Sequence, residues 1–171
     1  MVRSHLDYCV WTPYTKGDIE DLEKVQKRAT RLLPELKGFK YCETESMQWC
    51  KLPTLHYRHL RGDMIETFKI VSGKYHSCAA PILTGLSSVT RGHNLRLEKF
   101  RARYDLRKYF FTNRVVNNWN SLLSHVVHAD TVNSFKSSLD NFWKSQDVLY
   151  DYHAEIHGTG SRSEASSKFL L

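Results

Sequence analysis

Residues 22–36 read LEKVQKRATRLLPEL, and the spacing of their apolar residues decides the fold class. At about 100° per residue, Ile19, Leu22, Val25, Ala29, Leu32 and Leu33 gather on one side of a helix. Lys24, Lys27, Arg28 and Arg31 fall on the opposite side, so the segment is an amphipathic helix with a cationic outer face. Asp18 is the expected N-cap, with Asp21 in the capping-box position three residues on. Glu20–Lys24 and Glu23–Lys27 are (i, i+4) pairs in the favourable orientation, each adding about 0.2–0.5 kcal/mol. Pro34 ends or bends the helix, because the residue before a proline avoids the α region.

Downstream, KLPTLHYRHLRGDMIETFKIVSGKY predicts a second helix. Thr54 is its cap, Leu60, Met64, Phe68 and Val71 form its apolar row, and Gly73 is its stop. Residues 77–92 lack a helical period and contain Pro81, Gly85 and Gly92, which predicts a loop. Val115, Val116, Trp119 and Leu122 mark a third helix. Asp130 or Thr131 caps a fourth, with Val132, Phe135, Leu139, Phe142 and Trp143 turned inward. The last twenty residues, rich in Ser and Gly, predict a disordered tail. The expected fold is mainly α, a small helical bundle with a basic, partly extended segment.

The chain has 171 residues, 41% hydrophobic and 25% charged, enough to bury a core as one domain with a tail. Its net charge of +7 favours polyanionic partners. Cys9, Cys42, Cys50 and Cys78 form no CxxC pair, and the N-terminus has no signal-type apolar run. The expectation is therefore reduced thiols in an intracellular setting, nucleus or cytoplasm, rather than secretion. No apolar run approaches the roughly 18–20 residues of a membrane span, so no membrane partner is expected.

Residues 91–114, RGHNLRLEKFRARYDLRKYFFTNR, hold eight Lys and Arg against two acids. Arg91, Arg96, Lys99, Arg101, Arg103, Arg107, Lys108 and Arg114 alternate with Phe100, Tyr104, Tyr109, Phe110 and Phe111. Leu95, Leu97 and Phe100 hint at a short extended stretch. Arginine forks onto phosphate oxygens, and aromatic faces stack on exposed bases. The competing explanation is that the aromatics are core and the arginines rim them, just as the cations of the first helix could simply face water. Composition does not separate the two.

Other motifs carry less. Arg61, Gly62 and Asp63 spell an integrin-binding tripeptide, yet inside a predicted helix rather than on a loop. His153 and His157 have helical metal-ligand spacing, but Glu155 sits at the wrong offset for HExxH and no P-C-x-x-C follows. Cys42 and Cys50 lack a second ligand pair. There is no G-x-S-x-G, Walker loop, G-x-G-x-x-G or Asp-Asp doublet, so neither a nucleophilic nor a paired-carboxylate site is expected.

Four ordered blocks now form a pattern: VRSHLDYCVWTPYTKGDIEDLEKVQKRATRLLPEL, KLPTLHYRHLRGDMIETFKIVSGKY, TRGHNLRLEKFRARYDLRKYFFTNRVVNNWNSL and TVNSFKSSLDNFW. Together, over about residues 2–150, they resemble the C-terminal part of the polyprotein of non-LTR (LINE-type, jockey-like) retrotransposons. In that family this part follows the reverse-transcriptase palm and includes the thumb. The resemblance implies an RNA-directed DNA polymerase as parent, whose palm aspartates hold two Mg²⁺ ions. Since this chain lacks the aromatic-x-Asp-Asp motif, the resemblance implies no catalytic residue, no metal and no cofactor here. Together with the residue patterns above, it divides the chain into an expected thumb-like helical region at 1–75, a loop or linker at 76–92, the basic segment and C-terminal helices at 93–150, and a tail at 151–171. Two stretches depart from the family pattern: CVWTPY is about two residues short, and FKYCETESMQWCKLP is diverged, as in a decaying genomic copy.

Reverse-transcriptase thumbs lie along the primer–template duplex, so the expected nucleic-acid contacts are Lys24, Lys27, Arg28, Arg31, Arg96, Arg101, Arg103, Arg107 and Lys108, gripping RNA or an RNA–DNA hybrid. The missing palm is the second expected partner, and its absence predicts exposed apolar surface and self-association. The competing readings are an inactive retroelement remnant and a module that binds acidic proteins.

Overall fold

The structure, a computed structural model, describes residues 12–32, 47–76, 78, 80–86 and 93–157. Expectations for Cys9, Leu33, Pro34, Cys42, Arg91 and Gly92, and for the tail beyond residue 157, fall outside these. The described elements are α1 (Lys16–Arg31), α2 (Leu55–Val71), α3 (Asp105–Lys108), α4 (Phe111–Ser121), α5 (Ser124–Val127) and α6 (Val132–Trp143). A 3₁₀ turn follows at Asp147–Leu149. Pairing outside helices reduces, among the described residues, to one isolated antiparallel bridge between Gly85 and Leu97. The chain is mainly helical, as the periodicities require. It divides into two compact units, Met1–Gly62 with Ser145–Glu155, and Asp63–Lys144 with Ile156–Leu171.

In the first unit, α1 starts three residues earlier than its sequence suggests. Thr15, not Asp18, is the N-cap: its hydroxyl oxygen accepts from the Asp18 backbone N–H at 3.2 Å. The buried side of α1 also differs from the apolar stripe. Glu23, Gln26 and Thr30 are buried, Ile19 and Leu22 are half-buried, and Val25, Ala29 and Leu32 face solvent. Hydrogen bonding explains the rotation. Glu23 Oε1 accepts from the His56 backbone N–H at 2.9 Å, and Gln26 Nε2 donates to the Pro53 carbonyl at 3.0 Å. Met47, Leu55, Tyr57 and Val148 supply the apolar core of this unit. Thr54 caps α2 as expected, its Oγ1 accepting from Tyr57 N at 3.1 Å while donating to the Val148 carbonyl at 2.8 Å.

In the second unit, α2 ends in a Schellman turn. Gly73, at φ 66°, donates to the Ile70 carbonyl at 3.1 Å, and Lys74 donates to that of Lys69 at 2.9 Å. Met64, Phe68, Val115, Val116, Trp119, Leu122, Phe135, Leu139 and Trp143 are buried together with both valines of α5. Phe135 stacks on Phe68 with centroids 4.3 Å apart and meets Trp119 at 6.1 Å. Thr131, one of the two caps expected, caps α6 through Ser134 N at 3.1 Å. Val132 and Phe142 are half-buried rather than fully inward. Ile156, in the stretch expected to be tail, is buried.

Candidate nucleic-acid interface

Residues 93–97 are laid down in extended form by side chains from α4. Asn120 reads Leu97 as a neighbouring strand would, its Oδ1 accepting from Leu97 N at 2.9 Å and its Nδ2 donating to Leu97 O at 2.8 Å. Trp119 Nε1 donates to the Leu95 carbonyl at 2.7 Å. His93, buried edge-on against the Trp119 ring, lies 3.2 Å from the Trp119 carbonyl through Nε2. On the other side, Leu86 N donates to Arg96 O and Glu98 N to Thr84 O, both at 2.8 Å. The hint of alternation at Leu95 and Leu97 thus marks a held strand-like piece.

Beyond this anchor the chain emerges. Arg101, Arg103, Arg107 and Lys108 are exposed, as are Lys99 and Glu98. Between them Phe100 is 45% exposed, Tyr104 78%, Leu106 84% and Phe110 58%. The explanation that these aromatics are core therefore fails for Phe100, Tyr104 and Phe110, although Tyr109 and Phe111 are half-buried. Lys99 donates to Asn117 Oδ1 at 3.1 Å, and the Lys108 ammonium lies 5.0 Å from the Tyr109 ring centroid. Among the described residues, Arg101, Arg103 and Arg107 have no carboxylate within ion-pair distance.

A second anchor closes the segment. Arg114 forks onto Asp63 through Nε to Oδ2 at 2.9 Å and Nη2 to Oδ1 at 2.8 Å, and its Nη1 donates to the Tyr109 carbonyl at 3.5 Å. Its guanidinium also lies over the Phe111 ring. Arg114 is thereby committed to structure. Asp63 is buried in this fork, which excludes recognition of the Arg61-Gly62-Asp63 tripeptide through its carboxylate.

The other expected contacts are less favourably placed. Lys24 is exposed but bound by Asp21 at 3.1 Å and Glu20 at 3.3 Å; hydrogen bonding to both, Asp21 foremost, raises its pKa. Lys27 is half-buried, and Glu23, its expected partner, is turned inward. Arg28 and Arg31 are exposed on a helix that also exposes Asp18, Glu20 and Asp21 in its first half. Arg96 is half-buried with its carbonyl in the bridge to Leu86. Of the two basic stretches, residues 98–110 present the greater uncompensated charge, five cations against Glu98 and Asp105.

Sequence reasoning did not single out His93, Trp119 or Asn120 as the groups that hold this segment. They act some 23 to 26 residues away in sequence, so local patterning does not reveal them. Residues 153–157 are not helical, so His153 and His157 do not share a helix face. No group of three or more His, Cys, Asp or Glu that could hold a metal ion occurs among the described residues. Cys50 and Cys78 are free thiols. No helix among the described residues is long and apolar enough to cross a membrane. Compared with known proteins, the chain matches no family model, no curated protein and no solved structure.

Proposed function

We propose that this chain is a noncatalytic, nucleic-acid-binding piece of a retrotransposon-type RNA-directed DNA polymerase, gripping RNA or an RNA–DNA hybrid through residues 98–110. One observation carries the reading. Arg101, Arg103, Arg107 and Lys108 and the rings among them stand in solvent on a segment fixed at both ends. A merely solvated basic surface has no use for exposed aromatic rings, whereas a polyanion with bases uses both.

Binding of labelled RNA, both single-stranded and as an RNA–DNA hybrid, across a salt series tests it. About five phosphate contacts predict a loss of roughly 10²–10³ in affinity from 50 to 200 mM salt. Replacing Arg101, Arg103 and Arg107 by Glu should abolish measurable binding. A flat salt response, or binding that survives the triple reversal, refutes the proposal.

The parent-polymerase reading also gives the outward row Val25, Ala29 and Leu32 a protein partner: the palm in the parent, a second copy in isolation. Leu32 is 79% exposed. Sedimentation velocity should show concentration-dependent association that Leu32→Glu removes; a monomer at all concentrations contradicts it.

A further inference from the structure

We propose that Phe100, Tyr104 and Phe110 form a stacking platform for unpaired RNA, with Arg101, Arg103, Arg107 and Lys108 holding the phosphates of the same strand. The inference rests on the reading above and specifies its ligand. A duplex keeps its bases stacked inside, so a surface that tracks one needs cations and backbone donors, not exposed rings. An unpaired strand offers free base faces, and aromatic side chains accept them whatever the sequence.

The structure meets three conditions for such a platform. The rings are accessible, with Tyr104 the most exposed of the three. They alternate with cations at short intervals along the chain. The segment is held in shape. Asn120 and Trp119 fix residues 95–97, the Arg114–Asp63 fork fixes the region of Tyr109, and the short helix Asp105–Lys108 closes between them with Tyr109 N donating to Asp105 O at 2.9 Å. A platform ordered in advance loses less conformational freedom on binding than a floppy tail. RNA is the strand assigned because the polymerase reading supplies a long unpaired template of that kind.

Fluorescence anisotropy on the full chain tests the assignment with three labelled probes: a twelve-residue oligouridylate, its deoxy counterpart and a blunt RNA duplex. The expected order is oligouridylate tightest, the duplex at least tenfold weaker. Tyr104→Ala and Phe110→Ala should each weaken oligouridylate binding about five- to a hundredfold, with little effect on the duplex. Tyr104→Phe, which keeps the ring, should retain binding. Because these side chains are exposed, unchanged circular dichroism is expected and separates lost stacking from misfolding. Equal binding of strand and duplex, indifferent to the alanine variants, overturns the platform and leaves the basic-surface reading standing. Tighter binding of the deoxy strand overturns the assignment of RNA. Binding of none of the probes overturns both readings.

Discussion

Glu23 shows how one buried carboxyl sets a pH response. Its Oε1 accepts from the backbone N–H of His56 at the start of α2, while Oε2 is buried with no hydrogen-bond partner among the described residues. Burial pushes its pKa up to about 7 from 4.5, against the lowering effect of the backbone donors of His56 and Leu55. Between those two values the folded chain holds a proton that the unfolded chain has released. Its contribution is therefore greatest below pH 4.5 and is lost as pH rises to about 7, a change of about 3 kcal/mol. His56 acts in the opposite sense. Burial and the neighbouring His59 lower its pKa, despite an opposing pull from Glu155, so acid below its ordinary 6.5 costs stability. Urea unfolding at several pH values, repeated on Glu23→Gln, isolates the carboxyl. The variant should lose the decline between pH 5 and 7.5, and an identical profile in both proteins contradicts this account.

At the scale of elements, legibility followed locality. The apolar rows of α4 and α6 are buried much as their periods indicate, since Val115, Trp119, Phe135 and Leu139 have apolar neighbours to meet. The cap at Thr54 and the stop at Gly73 are local chemistry and were legible for the same reason. In α1 the period identified the helix but not its buried side. A hydrophobic period says which residues are apolar, not which side finds partners, and Glu23 and Gln26 found theirs on His56 and Pro53, respectively. The candidate site divides along the same line. Its cations and rings were visible in sequence, but their exposure depends on Asn120, Trp119 and the Asp63–Arg114 fork, all distant along the chain. Asn120→Ala removes both hydrogen bonds to Leu97 and should cost about 1–3 kcal/mol. Hydrogen exchange should then accelerate at Leu97 and through residues 98–110; unchanged exchange there means Asn120 does not hold the segment.

Over the whole molecule the net charge is +7, and one anchored, ring-bearing segment, residues 98–110, carries five cations against two acids. Charge alone serves solubility and nonspecific attraction. Charge with accessible aromatic faces, on backbone pinned at each end, is the combination that the proposed polynucleotide contact uses. The most direct check is ultraviolet cross-linking of the intact chain to uridine-rich RNA, with adducts mapped by mass spectrometry. Adducts concentrated on Phe100, Tyr104 and Phe110 are the predicted result. Adducts confined to α1, or spread without preference over the surface, would contradict it.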